Sequence, residues 1–154
     1  MSDPANQQSR RTSLPYVKRA ALLTAGERRF FHDGLKPAIG ERYLVSFKVR
    51  LADVITVEDW QSRHGRKIAQ KHLDFVLITY KATRIVAAIE LNDATHDSTS
   101  RQQRDEFIED ALASARIPLV TFPIYQEYDP AKIRRQIFIA VAKIRTDRRP
   151  SDDR

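Results

Sequence analysis

The spacing of hydrophobic positions changes period several times along the chain, and each change marks an element. Residues 22–35, LLTAGERRFFHDGL, place Leu23, Glu27, Phe30, Phe31 and Leu35 on one side at helical spacing, predicting a helix with Thr24 as N-cap and Gly34 as its stop. Glu27 thus falls in the apolar stripe. Thr24-x-x-Glu27 also has the form of a capping box, in which the carboxylate reaches back to the Thr24 amide, so cap and site residue are both open roles for Glu27. From Tyr43 to Leu51 the pattern alternates, with Val45, Phe47, Val49 and Leu51 facing one way and Ser46, Lys48 and Arg50 the other. That predicts a half-exposed strand with a basic outer face. Residues 52–72 sustain no period and predict a loop with a short helical piece, where Trp60 either covers the core edge or stacks on a base.

Residues 73–92, LDFVLITYKATRIVAAIELN, hold two apolar runs around a polar break near Lys81–Thr83, the form of a β-hairpin. A polar loop follows, NDATHDSTS. A helix from about Thr99 to Arg116 carries Phe107, Ile108, Ala111, Leu112 and Ala115 on one face, with Gln103 and Arg104 one turn earlier. Pro118 to Phe122 suits a buried strand ended by Pro123, and Asp129-Pro130 opens a last helix with Ile133, Ile137, Val141 and Ile144 inward. The order helix, three strands, helix, strand, helix predicts an α/β fold. A strand reached through a crossover helix joins parallel to a neighbour, giving a mixed four-stranded sheet flanked by helices, with a C-terminal helix added.

Composition narrows the chemistry. The 154 residues predict one domain at 15–145, with 1–14 expected as a disordered basic tail and 146–154 as a charged tail. Cysteine is absent, which excludes disulfides, thiolate zinc sites and cysteine nucleophiles. No apolar signal core or membrane-length stretch occurs, so the expectation is a cytoplasmic protein without a membrane partner. A net charge of +7 favours a polyanionic partner, nucleic acid first, against the alternative that the charge serves only solubility.

The hairpin carries the most pointed anomaly. Asp74 sits between Leu73 and Phe75, and Glu90 between Ile89 and Leu91, where the pattern asks for buried residues. Two such carboxylates on adjacent strands call for a shared counter-charge, most simply a metal ion; pairing with Lys or Arg at the strand ends is the alternative. Mg²⁺, with Mn²⁺ as a substitute, takes one or two carboxylates and keeps several waters, so Asp74, Glu90 and the backbone carbonyl of Leu91 would suffice.

Element order and residues together resemble the PD-(D/E)XK, or restriction-endonuclease-like, superfamily with its αβββαβ core. The segment VAAIELNDATHD is similar to one in the branch that holds the very-short-patch-repair endonucleases and related uncharacterised bacterial domains. Similarity to one such uncharacterised family runs from about Leu22 to Tyr125 through LTAGERRFF, VRLADVI, LDFVLI, AAIELNDATHD, RQQRDEFIEDAL and IPLV. The resemblance implies Asp74 and Glu90 as Mg²⁺ ligands for phosphodiester hydrolysis, and His96 as a general base or acid near the scissile phosphate. It also implies a family position at Asp105, whose alternative is a local cap or pair. The chain departs from the pattern at Asn92, which stands where the family's usual lysine follows the third-strand acid. Lys71, just before the second strand, could supply the missing charge, or be a surface lysine; His96 could equally be a solvated loop residue. Gln103 or Arg104 could hold phosphate, or form a helix-surface polar pair.

The expectation is therefore a Mg²⁺-dependent nuclease acting on DNA rather than RNA, a role in DNA repair being what the resemblance implies. A homodimer would suit cutting of both strands. Asn92 motivates a second reading, a non-catalytic nucleic-acid-binding module that keeps the nuclease fold. A third is a protein-interaction domain.

Overall fold

The computed structural model describes residues 14–92 and 99–146, of which 99–105 are described by their backbone alone. Its element order is α1 (Ala25–Arg29), a π-helical stretch (Phe30–Leu35), α2 (Lys36–Ile39), β1 (Tyr43–Arg50), α3 (Leu51–Val54), α4 (Arg63–Ala69), β2 (His72–Thr79), β3 (Ile85–Asn92), α5 (Thr99–Ser114), β4 (Leu119–Pro123) and α6 (Pro130–Thr146). The four strands lie in sequence order in one sheet; β1 pairs antiparallel with β2 and β2 antiparallel with β3, and β4 joins β3 parallel. The crossover through α5 accounts for that last pairing.

Each face of the sheet buries its own apolar cluster. Phe75, Leu77, Ala87, Ile89 and Phe122 pack against Phe30, Leu35 and Ala38 of the first helical segment and against Ile133 and Ile137 of α6. Val76 and Ala88 point the other way, to Leu51, Ile68, Ile108 and Leu112 on α3, α4 and α5. Helices thus cover both faces. Phe30 is the pivot of the first layer, its ring 5.6 Å from Phe75, 5.2 Å from Phe122 and 5.2 Å from Tyr128. Pairs of this kind add about 0.5–1.5 kcal/mol each beyond burial, and they fix the N-terminal helix over β2.

Two sequence expectations need correction. Gly34 does not stop the first helix, which passes through the π-helical stretch and α2 to Gly40, where φ is 57°. Gly34 is instead a close-approach residue: a Cβ there would meet Ile133 Cδ1 at 2.7 Å and Tyr128 Cβ at 3.1 Å. The period of the helix was legible, but a glycine inside it reads as a stop until its tertiary neighbour is known. The second correction is β1. Phe47 packs with the first cluster and Val49 with the second, although two residues apart they should share a face. Phe75 and Leu73, their partners on β2, divide in the same way. The paired strands exchange faces at the position between, which is Lys48 on β1 and Asp74 on β2. Lys48 has φ 53°, the left-handed region, and that turn of the backbone is why the alternation fails there.

Candidate active site

The site starts from register. Phe47 pairs with Phe75 and Val49 with Leu73, which sets Lys48 opposite Asp74; Phe75 pairs with Ile89, which sets Asp74 opposite Glu90; Glu90 pairs with Thr121. Lys48, Asp74, Glu90 and Thr121 therefore form one row across the sheet. The β2–β3 ladder begins at Phe75–Ile89, and beyond it the carboxylates take the place of backbone acceptors. The Leu91 amide donates to Asp74 Oδ2 at 3.0 Å, and the Asp74 amide donates to Glu90 Oε1 at 3.2 Å. Each acid thereby holds the other strand's backbone, which explains how two carboxylates are accommodated inside apolar strands. Both are half-buried, not enclosed.

Lys48 joins this row to the first helix. Its ammonium donates to Asp74 Oδ1 at 3.2 Å and to Glu27 Oε1. Glu27 is the one charged residue buried among the described residues, 7 % exposed. Its second oxygen, Oε2, accepts from the Thr24 amide at 2.8 Å while Thr24 Oγ1 accepts from the Glu27 amide at 3.3 Å. The capping box and the site role are thus both present, one on each carboxylate oxygen. Burial pushes the Glu27 carboxyl up, but the Lys48 hydrogen bond, the Thr24 amide and the Lys48 charge outweigh it and hold the group below its ordinary value. Burial also works against the Lys48 charge; the Glu27 hydrogen bond and the Asp74 charge prevail, and its pKa lies above the ordinary lysine value. Lys48 is therefore a protonated donor at neutral pH.

Other sequence candidates fall differently. Leu91 follows Glu90 on β3, and Asn92 ends that strand, exposed, its carbonyl accepting from the Ile124 amide at 3.1 Å. Asn92 and Glu90 line a small cavity of about 110 Å³ with Thr121, Ile108 and Glu109. Lys71 is half-buried before β2, and among the described residues its ammonium makes no hydrogen bond or ion pair. Gln103, Arg104 and Asp105 lie in the first half of α5, their side chains outside the described set; His96 lies outside the described residues. Trp60 is 44 % exposed. Sequence reasoning missed Lys48, reading it as part of an outer basic face. The available signal was cross-strand: a lysine in β1 flanked by apolar residues, ahead of a strand whose acid needs a counter-charge.

The donor set fits a hard divalent cation. Carboxylate oxygens and a backbone carbonyl are what Mg²⁺ takes, and a carboxylate offers about four lone-pair sites, of which the described bonds to Asp74 use one on each oxygen. No group of three His, Asp or Glu side chains able to hold a metal occurs among the described residues, and an ion that keeps its waters does not require one. Lys48 supplies a counter-charge to Asp74, the cationic side chain that the sequence offered as one of two resolutions.

No helix among the described residues is long and apolar enough to cross a membrane. No curated protein and no solved structure matches the chain. Residues 19–141 match the model of DUF2726, a protein family of unknown function, from before the Thr24 cap to the middle of α6. The match covers most of the 154 residues and every residue of the Glu27–Lys48–Asp74–Glu90 arrangement, so the chain belongs to the DUF2726 family.

Proposed function

We propose that the protein is a metal-dependent nuclease with a restriction-endonuclease-like core, hydrolysing DNA phosphodiester bonds at the Asp74–Glu90 row. The observation that carries this reading is Lys48. The resemblance lacked its lysine at Asn92, and a protonated lysine on the neighbouring strand is bonded to the same aspartate that would hold the metal. Asp74 and Glu90, with the Leu91 carbonyl, would hold Mg²⁺, which would supply charge neutralisation at the phosphoryl oxygens and activation of the attacking water. Lys48 has three N–H donors, two of them directed to Glu27 and Asp74. Its third donor serves the attacking water or a phosphoryl oxygen, stabilising the charge that develops there. Glu27 positions Lys48 and is itself fixed by the helix cap, so the geometry is set before substrate arrives. His96, by the resemblance, is the candidate for moving the water's proton.

Incubating the protein with single-stranded, nicked, branched and mismatched DNA in Mg²⁺ or Mn²⁺ tests this. Cleavage by wild type, lost in Asp74→Ala and in Lys48→Met, supports the reading; indistinguishable behaviour of wild type and Asp74→Ala on every substrate sinks it. Asn92 favours the second reading, a binding module without cleavage. In that case DNA is retained in chelator and in Glu90→Ala, with an affinity that falls steeply as salt rises.

A further inference from the structure

At the other end of β1 from this row, α2, the start of β1 and α6 enclose a groove of about 560 Å³. Its floor is aliphatic, from Ile39, Ile137, Val141 and Ala142, and its rim carries Arg42, Arg134 and Arg145. Tyr43 at its edge and Lys48 are five residues apart along β1, or about 17 Å at ~3.3 Å per residue. The groove is therefore separate from the candidate active site. Apolar surface also spreads beyond it: Phe138 is 65 % exposed and Ile139, outside the groove on the same helix, is 59 % exposed. Neighbouring large exposed apolar side chains mark an interaction surface rather than ordinary helix exterior.

Charge and shape choose the occupant. From Pro130 to Thr146, α6 bears Lys132, Arg134, Arg135, Lys143 and Arg145 and no acidic residue. A second copy meeting this helix through the same face would set like charges together. The chain's own segments 1–13, 93–98 and 147–154 are polar in sequence and carry few apolar side chains to fill an aliphatic floor. A nucleic-acid backbone would meet the arginines but leave that floor empty. A small amphiphilic anion would fill the groove yet leave Ile139 uncovered. Arg134 donates to the Ala38 carbonyl at 2.7 Å and to the Pro37 carbonyl at 3.4 Å, bracing α6 against α2, so Arg42 and Arg145 are the cations left for a partner. We infer that this groove is a docking surface for an amphipathic helix of a partner protein, its apolar face seated on Ile137, Val141 and Phe138 and extending past Ala142 over Ile139, and its acidic flanks on Arg42 and Arg145. Recognition of this kind lays an apolar stripe in a groove and uses rim charges for orientation.

The test uses the full chain and a defined probe: a fluorescein-labelled model peptide with leucine at helical spacing and glutamate at the other positions. Fluorescence anisotropy should show saturable binding, weakened about tenfold or more by the double substitution Arg42→Glu with Arg145→Glu. The same double variant should gain binding to the peptide in which lysine replaces glutamate. Ala142→Glu, which blocks the floor without touching the rim cations, should also abolish binding, and circular dichroism would establish that each variant is folded. Absence of saturable binding, equal binding of a scrambled peptide, or no effect of the rim reversal overturns the proposal. So does a wild-type dimer dissociated by Ala142→Glu, since the occupant is then a second copy. Loss of DNA cleavage in Asp74→Ala leaves this binding unchanged, which keeps the two assignments separable.

Discussion

Substituting Lys48 separates backbone strain from electrostatics at one residue. At φ 53° a residue with a Cβ is less stable by about 1–2 kcal/mol than in an ordinary conformation, a penalty that glycine avoids. The ammonium also balances Glu27 and Asp74, whose side chains are 9 % and 20 % exposed. Removing one member of a fully buried pair costs about 3–5 kcal/mol. The Lys48 side chain is itself 32 % exposed, and solvent screening lowers the expected loss to about 2 kcal/mol. Lys48→Ala keeps the strain and loses the pairing. Lys48→Gly loses the same pairing but releases the strain; its added chain freedom, about 0.5–1 kcal/mol, offsets only part of the gain. Glycine should therefore be the more stable of the two by about 0.5–1 kcal/mol, the reverse of the usual order within a strand. For a chain of this length about 1 kcal/mol moves Tm by ~2–4 °C. Thermal unfolding followed by circular dichroism should then rank wild type first, glycine second, and alanine lowest, about 4–8 °C below wild type. If alanine equals or exceeds glycine, the left-handed turn at Lys48 is not a source of strain. If both match wild type, the ion pairs contribute nothing and the account of the site fails.

The remaining expectations concern the groups around that lysine. The folded pKa of Glu27 lies below its ordinary 4.5, so the native state binds fewer protons than the unfolded chain in that window; the stabilisation is present above 4.5 and is lost as pH falls through the folded value. Glu27→Gln, which retains a capping partner for Thr24, should flatten the acid limb of a Tm–pH profile. The folded pKa of Lys48 lies above 10.5, so its stabilisation is complete below 10.5 and disappears as pH rises through the folded value; an alkaline limb unchanged in Lys48→Met would refute that. Thr24→Ala breaks the cap that orients Glu27 and should cost about 1 kcal/mol in urea unfolding. Gly34→Ala places a Cβ 2.7 Å from Ile133 Cδ1 and should destabilise by about 1–3 kcal/mol, with Ile133→Val restoring part of the loss. Mg²⁺ at about a hundredfold over its Kd should stabilise wild type by ~2.7 kcal/mol and leave Asp74→Asn unmoved in the same melt.

Much of the fold was legible because its elements repeat a period over enough residues to be unmistakable. Ile133 and Ile137 of α6, the two apolar runs of the hairpin around their polar break, and the Asp129-Pro130 helix start are local signals, and Asp129 Oδ1 accepts from the Ala131 amide at 2.9 Å as the cap predicts. Asp74 and Glu90 were legible for the opposite reason, as polar residues inside apolar runs. What escaped notice depends on contacts between elements. Whether Gly34 ends a helix or admits Ile133 is decided by α6, a hundred residues away in sequence terms.

Lys48 shows why a linear motif understates a sheet. A motif written along one strand records that an acid and a lysine two residues on share a face, spaced about 7 Å apart. Adjacent strands stand about 4.8 Å apart, so a residue opposite the acid on the next strand is nearer than that lysine would be. Lys48 lies opposite Asp74 in the β1–β2 register, in a sequence segment that no spacing rule connects to Glu90. In a regular strand its side chain would simply alternate with its neighbours. The left-handed backbone at that residue re-aims it, so that one ammonium meets both Asp74 and the Glu27 of a capped helix. Under the nuclease reading, then, Asn92 marks where the cation departed rather than that it is missing: the same charge reaches the row from the neighbouring strand, held by a carboxylate that the helix cap keeps in place.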